Sequence, residues 1–286
     1  MKSVKDILNS ISANNSLGLK LLFIIASVYC LSTALYFSNL KVTFIGVLLC
    51  SIVVSKHVIK SKVIWALFLI IFSIDVIHNF YDEANHHFLL TYITLIVVLH
   101  LNGVFNYKIL IKNIKYLTVI VLAFATLQKL FSEQFISGEF YYYMFNSGRF
   151  FKPIVTQNME QLALIKSNNA AIRELALINP NNSNASAQFQ NIFPHLGVIC
   201  VVFAWLTIAV ECIATLLLLL KPTHKLTHIV LLILILGIFS TRLETGFLAI
   251  LCIAGFLITT NKTFKTIYLF LLLLFLSLII TKLGFY

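Results

Sequence analysis

The sequence predicts an all-α, polytopic integral membrane protein, and three observations support that fold class. Of the 286 residues, 60% are hydrophobic and only 11% are charged. The mean hydropathy is +0.96, and a soluble domain of this length needs more charge to cover its surface. Apolar runs of near-spanning length recur along the chain, with lysines in the short segments between them. We therefore predict a single membrane domain over 1–286.

The apolar runs predict about nine transmembrane helices, with eight as the alternative. Several runs are shorter than the ~20 residues that cross a bilayer comfortably, so their ends are approximate. The predicted spans are 19–39, 42–55, 63–80, 87–106, 116–131, 195–220, 226–240, 245–260 and 266–283.

The basic residues orient these spans. If the N-terminus is cytoplasmic, most lysines fall in inside segments, whereas the short outside segments hold only Lys41, Arg242 and Lys282. Lysine and arginine are enriched in cytoplasmic loops of membrane proteins. The pattern predicts an N-terminus inside and a C-terminus outside.

The composition also argues against several function classes. The formal net charge is +11, but the basic residues lie between apolar runs and form no aromatic-interleaved patch, so we expect no nucleic acid partner. The five cysteines lie inside apolar runs without a C-x-x-C pair, which disfavours a thiol–disulfide relay. No H-E-x-x-H motif occurs among the eight histidines, and we predict no metal site.

One long stretch, 132–194, is not predicted to span. It contains "GEFYYYMFNSGRFF" (138–151), whose clustered aromatic residues suit a membrane interface. In "QNMEQLALIKSNNAAIRELALI" (157–178) an apolar stripe predicts an amphipathic helix on the outer surface. The stripe consists of Leu162, Ile165, Ile172 and Leu175. We predict an external loop with an interfacial helix between spans five and six.

Polar residues cluster at the outer end of the third span. Asp75, His78 and Asp82 have i, i+3, i+7 spacing and would share one helix face. Asn85 and His86 follow in the turn into the fourth span. Asp75 and His78 are candidates for a binding role, but a purely structural hydrogen-bonded pair is the alternative.

Other charged residues lie in or beside later spans. Lys129 lies near the outer end of the fifth span, Glu211 inside the sixth, and Arg242 and Glu244 in the turn before the eighth. An ionisable residue in a membrane is costly, which makes each a functional candidate. Apart from Glu211, we expect these polar groups to converge on one outward-facing cavity. Two structural alternatives stay open: Lys129 could snorkel and pair with Glu133, and Arg242 could pair with Glu244 to fix the turn.

Two short motifs carry a resemblance to a known family. "NHHFLL" (85–90) and "ATLQKLFSEQFISG" (125–138) resemble the membrane motifs of the vitamin K-dependent γ-glutamyl carboxylase and its bacterial HTTM (horizontally transferred transmembrane) relatives. The resemblance implies a nine-helix, N-inside architecture. It implies that His86 is the active-site histidine with Asn85 as its neighbour, and that Lys129 is the base, which in the carboxylase deprotonates vitamin K hydroquinone.

The chain also departs from the carboxylase. A further family histidine precedes a glycine matching Gly246 by about ten residues, and here Leu236 or Gly237 occupies that place. We find no counterpart of the large lumenal domain that holds the carboxylase's protein substrate. Carboxylation of glutamate is therefore not expected.

The leading hypothesis is a membrane protein that binds a lipid-soluble molecule, a quinone or another lipid, beside Lys129 and His86. In an enzymatic version Lys129 is the base, and His86 donates a proton or hydrogen-bonds developing negative charge. The alternative is a non-catalytic assembly or partner-binding factor acting through 132–194. A third hypothesis is a small-solute carrier with Asp75, Glu211 and Lys129 as an ion path. Abundant Lys, Asn, Ile and Phe suggest an AT-rich genome, hence a bacterial inner membrane, with a eukaryotic endomembrane as the fallback.

Overall fold

A computed structural model describes residues 15–32, 57–80, 85–150, 157–177, 188–242 and 244–280. Within these ranges the chain is all-helical and contains no β-strand, which confirms the all-α part of the prediction. The helices are α1 (Asn15–Ser32), α2 (Lys62–His78), α3 (Asn85–Leu101), α4 (Tyr107–Phe131), α5 (Glu133–Ile136), α6 (Glu139–Asn146), α7 (Met159–Leu177), α8 (Leu196–Leu220), α9 (Lys225–Arg242), α10 (Thr245–Ile258) and α11 (Lys262–Ile280).

Eight of the nine predicted apolar spans overlap a described helix, whereas the span 42–55 and the segments 33–39 and 281–283 of the first and last spans lie outside the described residues. In the described ranges, three helices are long and apolar enough to cross a membrane: α4, α8 and α11. Four shorter apolar helices lie within α1, α3, α9 and α10. The helical fold with spanning helices fits a membrane protein, whereas the count of nine spans and the orientation stay predictions.

Two predicted boundaries were wrong. The fourth span was predicted to reach 106, but α3 ends at Leu101 because Gly103 takes a φ of +82° and stops it. Val104 N–H donates to Leu99 O at 3.0 Å, which is the long hydrogen bond of a glycine-terminated helix. The fifth span was predicted to begin at 116, but α4 begins at Tyr107.

The helices group into two compact units. The first contains α1, α2 and α3, α4 as far as Ala123, α8 from Ile213, α9 as far as Phe239, α10 and α11. The second contains the rest of α4 from Phe124, α5, α6, α7, α8 as far as Cys212, and the end of α9, Ser240–Arg242.

Aromatic side chains join α1 to α2 in the first unit. The Phe23 ring lies 5.7 Å from Trp65, and Tyr29 lies 6.3 Å from Phe72, measured between ring centroids. Because residue numbers rise together along both helices, α1 and α2 run in the same direction. Trp65 Nε1 donates to Ile59 O at 2.8 Å, which satisfies the indole of this fully buried ring.

Helix α10 is the most deeply buried element of the first unit. Nearly every side chain from Thr245 to Ile258 is buried, as expected for a helix that is apolar all round. Gly255 allows the Tyr268 ring of α11 to lie against it, since a Cβ there would lie 2.5 Å from Tyr268 Cζ. The close approach of α10 and α11 at this point thus requires a glycine at position 255.

An aromatic core holds the second unit together. Helix α8 presents a stripe at every fourth position, and aromatic residues from α5, α6 and the following turn pack on it. The stripe consists of Leu196, Cys200, Ala204 and Ile208, and the buried aromatic residues are Phe135, Tyr141, Phe145 and Phe150. Tyr141, Phe145 and Phe150 belong to the cluster predicted to suit a membrane interface, and their side chains lie in the interior of this unit.

The predicted amphipathic helix at 157–178 is α7, Met159–Leu177. It packs on the rest of the second unit. Ile165 is buried in the aromatic core, and Asn168 Nδ2 donates to Asn146 O at 3.1 Å and to Gln190 O at 2.9 Å. The stretch 132–194 is therefore largely a folded part of the second unit.

Candidate functional site

The candidate site of the second unit is an ion pair between α4 and α8. Lys129 lies in the last turn of α4, and Glu211 follows Ile208 on the buried face of α8. Lys129 Nζ lies 2.7 Å from both Glu211 Oε1 and Oε2. The Glu211 side chain is 7% exposed and the Lys129 side chain 21%.

This ion pair explains how the Glu211 carboxylate can be buried. A carboxylate removed from water is strongly destabilising unless a counter-charge and hydrogen bonds replace its hydration. The Lys129 ammonium supplies both, with one N–H for each carboxylate oxygen. An ammonium has three N–H donors, so a further donor is available at the partly exposed Lys129.

Aromatic and hydroxyl groups surround the pair. The Phe135 ring centroid lies 5.7 Å from Lys129 Nζ, within range of a cation–π interaction. One turn before Glu211, Thr207 Oγ1 lies 2.7 Å from Tyr141 Oη and 2.9 Å from Phe203 O. Since the threonine proton goes to the carbonyl, the Tyr141 phenol donates to Thr207.

Gly138 sets the path of the chain between α5 and α6. Its φ is +83°, a left-handed conformation that suits glycine. A Cβ at this position would lie 2.7 Å from Val201 N, so the turn touches the backbone of α8 directly. A glycine in this conformation thus lets the chain turn between α5 and α6.

No protein-family model, curated protein or solved structure matches the chain. The resemblance to the carboxylase and HTTM proteins therefore stays a prediction from two short motifs. What the site can do follows from its own geometry.

The ion pair itself was missed in the sequence. Glu211 was set apart from the predicted outward-facing cluster, and Glu133 was offered as the alternative partner of Lys129. Glu133 is exposed, and in the described part of the chain Lys129 pairs with Glu211. A signal did exist, because a carboxylate inside an apolar span needs a cation from another span.

The first unit holds the other acidic candidates that the structure describes. Asp75 is buried and accepts a hydrogen bond from Asn79 Nδ2 at 3.2 Å, whereas His78, predicted to share its face, is exposed. Glu244 is half-buried directly before α10. Because Asp75 and Glu244 belong to the first unit and Lys129 to the second, convergence on a single cavity stays a prediction.

The resemblance assigned a role to His86, whereas the structure places the neighbouring His87 beside a small cleft. Asn85 and His86 begin α3, and their side chains lie outside the described residues, as do Asp82 and the Arg242 side chain. His87 lies 4.9 Å from Tyr29 between ring centroids. It borders a small cleft with Tyr29, Phe72, Asp75 and Thr91.

One histidine pair escaped the sequence analysis. His224 and His228 have i, i+4 spacing, which can bring two metal ligands to one helix face. His224 is exposed, whereas His228 is buried with Nδ1 3.1 Å from Tyr268 Oη. Within the described ranges no group of three His, Cys, Asp or Glu side chains could hold a metal ion.

Proposed function

We propose that the chain is a multi-pass membrane protein of carboxylase/HTTM-like architecture that binds a lipid-soluble molecule at the Lys129–Glu211 pair. A quinone or another lipid with a polar head fits such a site. The proposal depends on one observation, the buried two-oxygen contact between Lys129 and Glu211 on two long apolar helices.

The positions along the two helices support a site at membrane depth. At about 1.5 Å per residue, Lys129 lies roughly 21 Å along α4 from Lys115, and Glu211 roughly 15 Å along α8 from Lys221. In the predicted orientation, Lys115 and Lys221 mark the cytoplasmic headgroups. The hydrocarbon layer is about 30 Å thick, so the pair would lie within it, between its middle and its outer boundary. A ligand could reach it sideways from the bilayer.

The chemistry of the pair suits a polar head on an apolar body. The remaining Lys129 donor can hydrogen-bond a carbonyl, phenol or phosphate oxygen, and the Phe135 ring lies beside the ammonium. In the enzymatic version, Glu211 takes a proton from the ammonium and Lys129 then removes a proton from the bound hydroxyl. His86 is assigned as donor or hydrogen-bond partner from the motif resemblance alone.

Native mass spectrometry of the detergent-purified protein tests this proposal. We expect wild type to carry a quinone or lipid that both Lys129→Ala and His86→Ala lose. Lys225→Ala, at an exposed lysine at the start of α9, is the matched control and should retain the ligand.

A structural role of the pair must be separated from ligand binding. The double variant Lys129→Met/Glu211→Leu removes both charges, which leaves no buried charge unpaired. If it folds but carries no ligand, the pair binds the molecule. An empty wild-type protein, or a ligand retained by the double variant, contradicts the proposal.

The predicted nine-span topology is part of the same proposal. The parallel directions of α1 and α2 agree with one further span between them, the predicted 42–55, outside the described residues. Accessibility of single introduced cysteines to a membrane-impermeant thiol reagent tests it in a cysteine-free background. Sites next to Lys62 and Lys262 should be labelled only from the cytoplasmic side, and labelling of the two from opposite sides would contradict the topology.

A second candidate function is partner binding through the stretch 132–194. The observation in its favour is that α7 is fixed by the Asn168 hydrogen bonds, which gives it a defined outer face. Glu160, Lys166 and Arg173 are exposed on this helix. Reversing these three charges while leaving the buried Ile165 and Asn168 intact should abolish function in this case. Deleting 157–190 is a poorer test, because it removes part of the core.

A further inference from the structure

One end of the first unit is strongly basic. Gly18 near the start of α1 lies against Tyr107 at the start of α4 and Leu257 at the end of α10. The contact between Phe23 and Trp65 places the start of α2 beside α1. These contacts gather several helix ends that carry lysines. The lysines at or next to these ends are Lys20, Lys60, Lys62, Lys108, Lys112, Lys115, Lys262 and Lys265.

Carboxylates do not balance this charge in the described part of the first unit. Its described acidic residues are Asp75 and Glu244. Asp75 lies in the last turn of α2, whose start is basic, and Glu244 precedes α10, whose end is basic. Both therefore lie at the opposite end, so the described part of the basic end carries an excess of positive charge.

The first turns of α4 carry the most regular group of these lysines. Lys108, Lys112 and Lys115 have i, i+4, i+7 spacing and thus share one helix face. The Tyr116 ring centroid lies 5.9 Å from Lys112 Nζ and 4.1 Å from Lys115 Nζ, so the two ammonium groups lie at most about 10 Å apart. Tyr116 is 38% exposed, so the face is accessible.

We propose that Lys108, Lys112, Lys115 and Tyr116 bind the phosphate headgroup of an anionic phospholipid in the adjacent leaflet. Two or three ammonium groups gathered along one face match the negative charge of such a headgroup, and a tyrosine at that level matches the polar–apolar boundary. This site is distinct from the Lys129–Glu211 pair and does not depend on it.

Its position on the helix favours a lipid over a free anion. Lys115 lies roughly 10 Å further along α4 than Lys108, comparable with the depth of one headgroup layer. Beyond Tyr116, the helix is uncharged until Lys129. The acyl chains of a lipid held by these lysines could therefore follow the exposed apolar side chains Ile120 and Phe124.

The test compares lipid binding by two double variants in nanodiscs. The probe is phosphatidylglycerol in phosphatidylcholine nanodiscs, and retained phosphatidylglycerol is measured by native mass spectrometry. Lys112→Gln/Lys115→Gln should weaken retention about 30-fold, since each lysine contributes roughly fivefold. Lys60→Gln/Lys62→Gln removes the same charge at the same end and should weaken it less than fivefold.

Two further variants separate the possible causes of a loss of bound phosphatidylglycerol. Lys112→Arg/Lys115→Arg keeps the charge and should retain the lipid, which would show that substitution at these positions does not by itself abolish binding. Tyr116→Leu should weaken retention severalfold with all lysines present.

Three results would overturn the proposal. Equal weakening by the Lys60/Lys62 and Lys112/Lys115 double variants would show a diffuse field rather than a site. Displacement of the lipid by inorganic phosphate alone would show a free-anion site. Equal retention by wild type and all variants would show that the lysines do not bind the headgroup.

Discussion

In the first unit, the buried hydroxyls of Ser27, Thr94 and Thr118 each donate to the carbonyl four residues earlier in the same helix, at 2.8, 2.8 and 2.9 Å. In the second unit, Lys129 reaches Glu211 on a different helix, 82 residues away along the chain. The local bonds satisfy a polar group wherever its helix is placed, whereas the ion pair forms only if α4 and α8 meet at one register.

Other polar contacts in the second unit have the same long-range character. Tyr141 bonds Thr207 across 66 residues, and Asn168 bonds Asn146 and Gln190 across 22 residues each. The first unit has an exception, the His228–Tyr268 contact across 40 residues. Because buried polar networks specify one arrangement, the second unit should tolerate polar substitutions less well than the first.

The largest effect is expected at the ion pair. Lys129→Met leaves the Glu211 carboxylate buried without its counter-ion, which should lower the free energy of unfolding by about 3–5 kcal/mol. Lys129→Met/Glu211→Leu leaves no buried charge and should return to within about 1 kcal/mol of wild type. Unfolding in detergent micelles, followed by circular dichroism, measures both. A single variant as stable as wild type would show that the pair does not form.

Alanine substitutions at Gly138 and Gly103 separate the cost of backbone strain from the cost of a steric clash. Both have a φ above +80°, but a Cβ at Gly138 would meet the α8 backbone, whereas nothing lies within 4 Å of a Cβ at Gly103. Gly103→Ala should therefore cost only the left-handed conformation, about 1–2 kcal/mol. Gly138→Ala adds the steric clash and should cost about 3 kcal/mol or more. Equal losses of unfolding free energy would show that α8 does not press on this turn.

The helices could largely be predicted, because apolar runs and helical stripes are local signals. The errors also have local causes. The predicted start of α4 was late since Lys108, Lys112 and Lys115 lower its hydropathy, although Leu110 and Ile114 on the same helix are fully buried. A prediction from apolar content alone therefore missed the amphipathic first turns of α4.

The site could be predicted only as separate candidates. Lys129 and Glu211 were both recognised as costly residues in apolar spans, but no pattern within either helix indicates the register of the other. The bonds of Asn168 were missed for the same reason, since its partners lie outside its own helix. Pairing across helices is a property of tertiary packing, and one sequence does not encode it in any local period.

Asn168 and its neighbour Asn169 provide the next comparison. Asn168 is buried and its side chain makes three hydrogen bonds, including one accepted from Gln190 N at 2.9 Å. Asn168→Leu should cost about 2–3 kcal/mol, since buried backbone groups lose their partners. Asn169 is half-buried and donates to Ser147 O at 3.2 Å, so Asn169→Leu should cost about 1 kcal/mol or less. Similar losses of unfolding free energy in the two variants would contradict the view that Asn168 fixes the position of α7.

The smallest expected effects on the unfolding free energy come from one type of substitution, threonine to valine, made in each unit. Thr94→Val in the first unit removes a hydroxyl whose bond to Leu90 O is local, so the unfolding free energy should change by less than about 1 kcal/mol. Thr207→Val in the second unit also removes a local bond, to Phe203 O, but it leaves the Tyr141 phenol without its acceptor.

The loss of this acceptor makes Thr207→Val the costlier change, by about 1–2 kcal/mol. The further variant Tyr141→Phe/Thr207→Val removes the phenol as well and should recover most of the difference. A double-mutant cycle on these two residues measures the coupling directly. Additive losses would show that the Tyr141–Thr207 contact is not formed, and the second unit would then owe its register to the ion pair and the aromatic core alone.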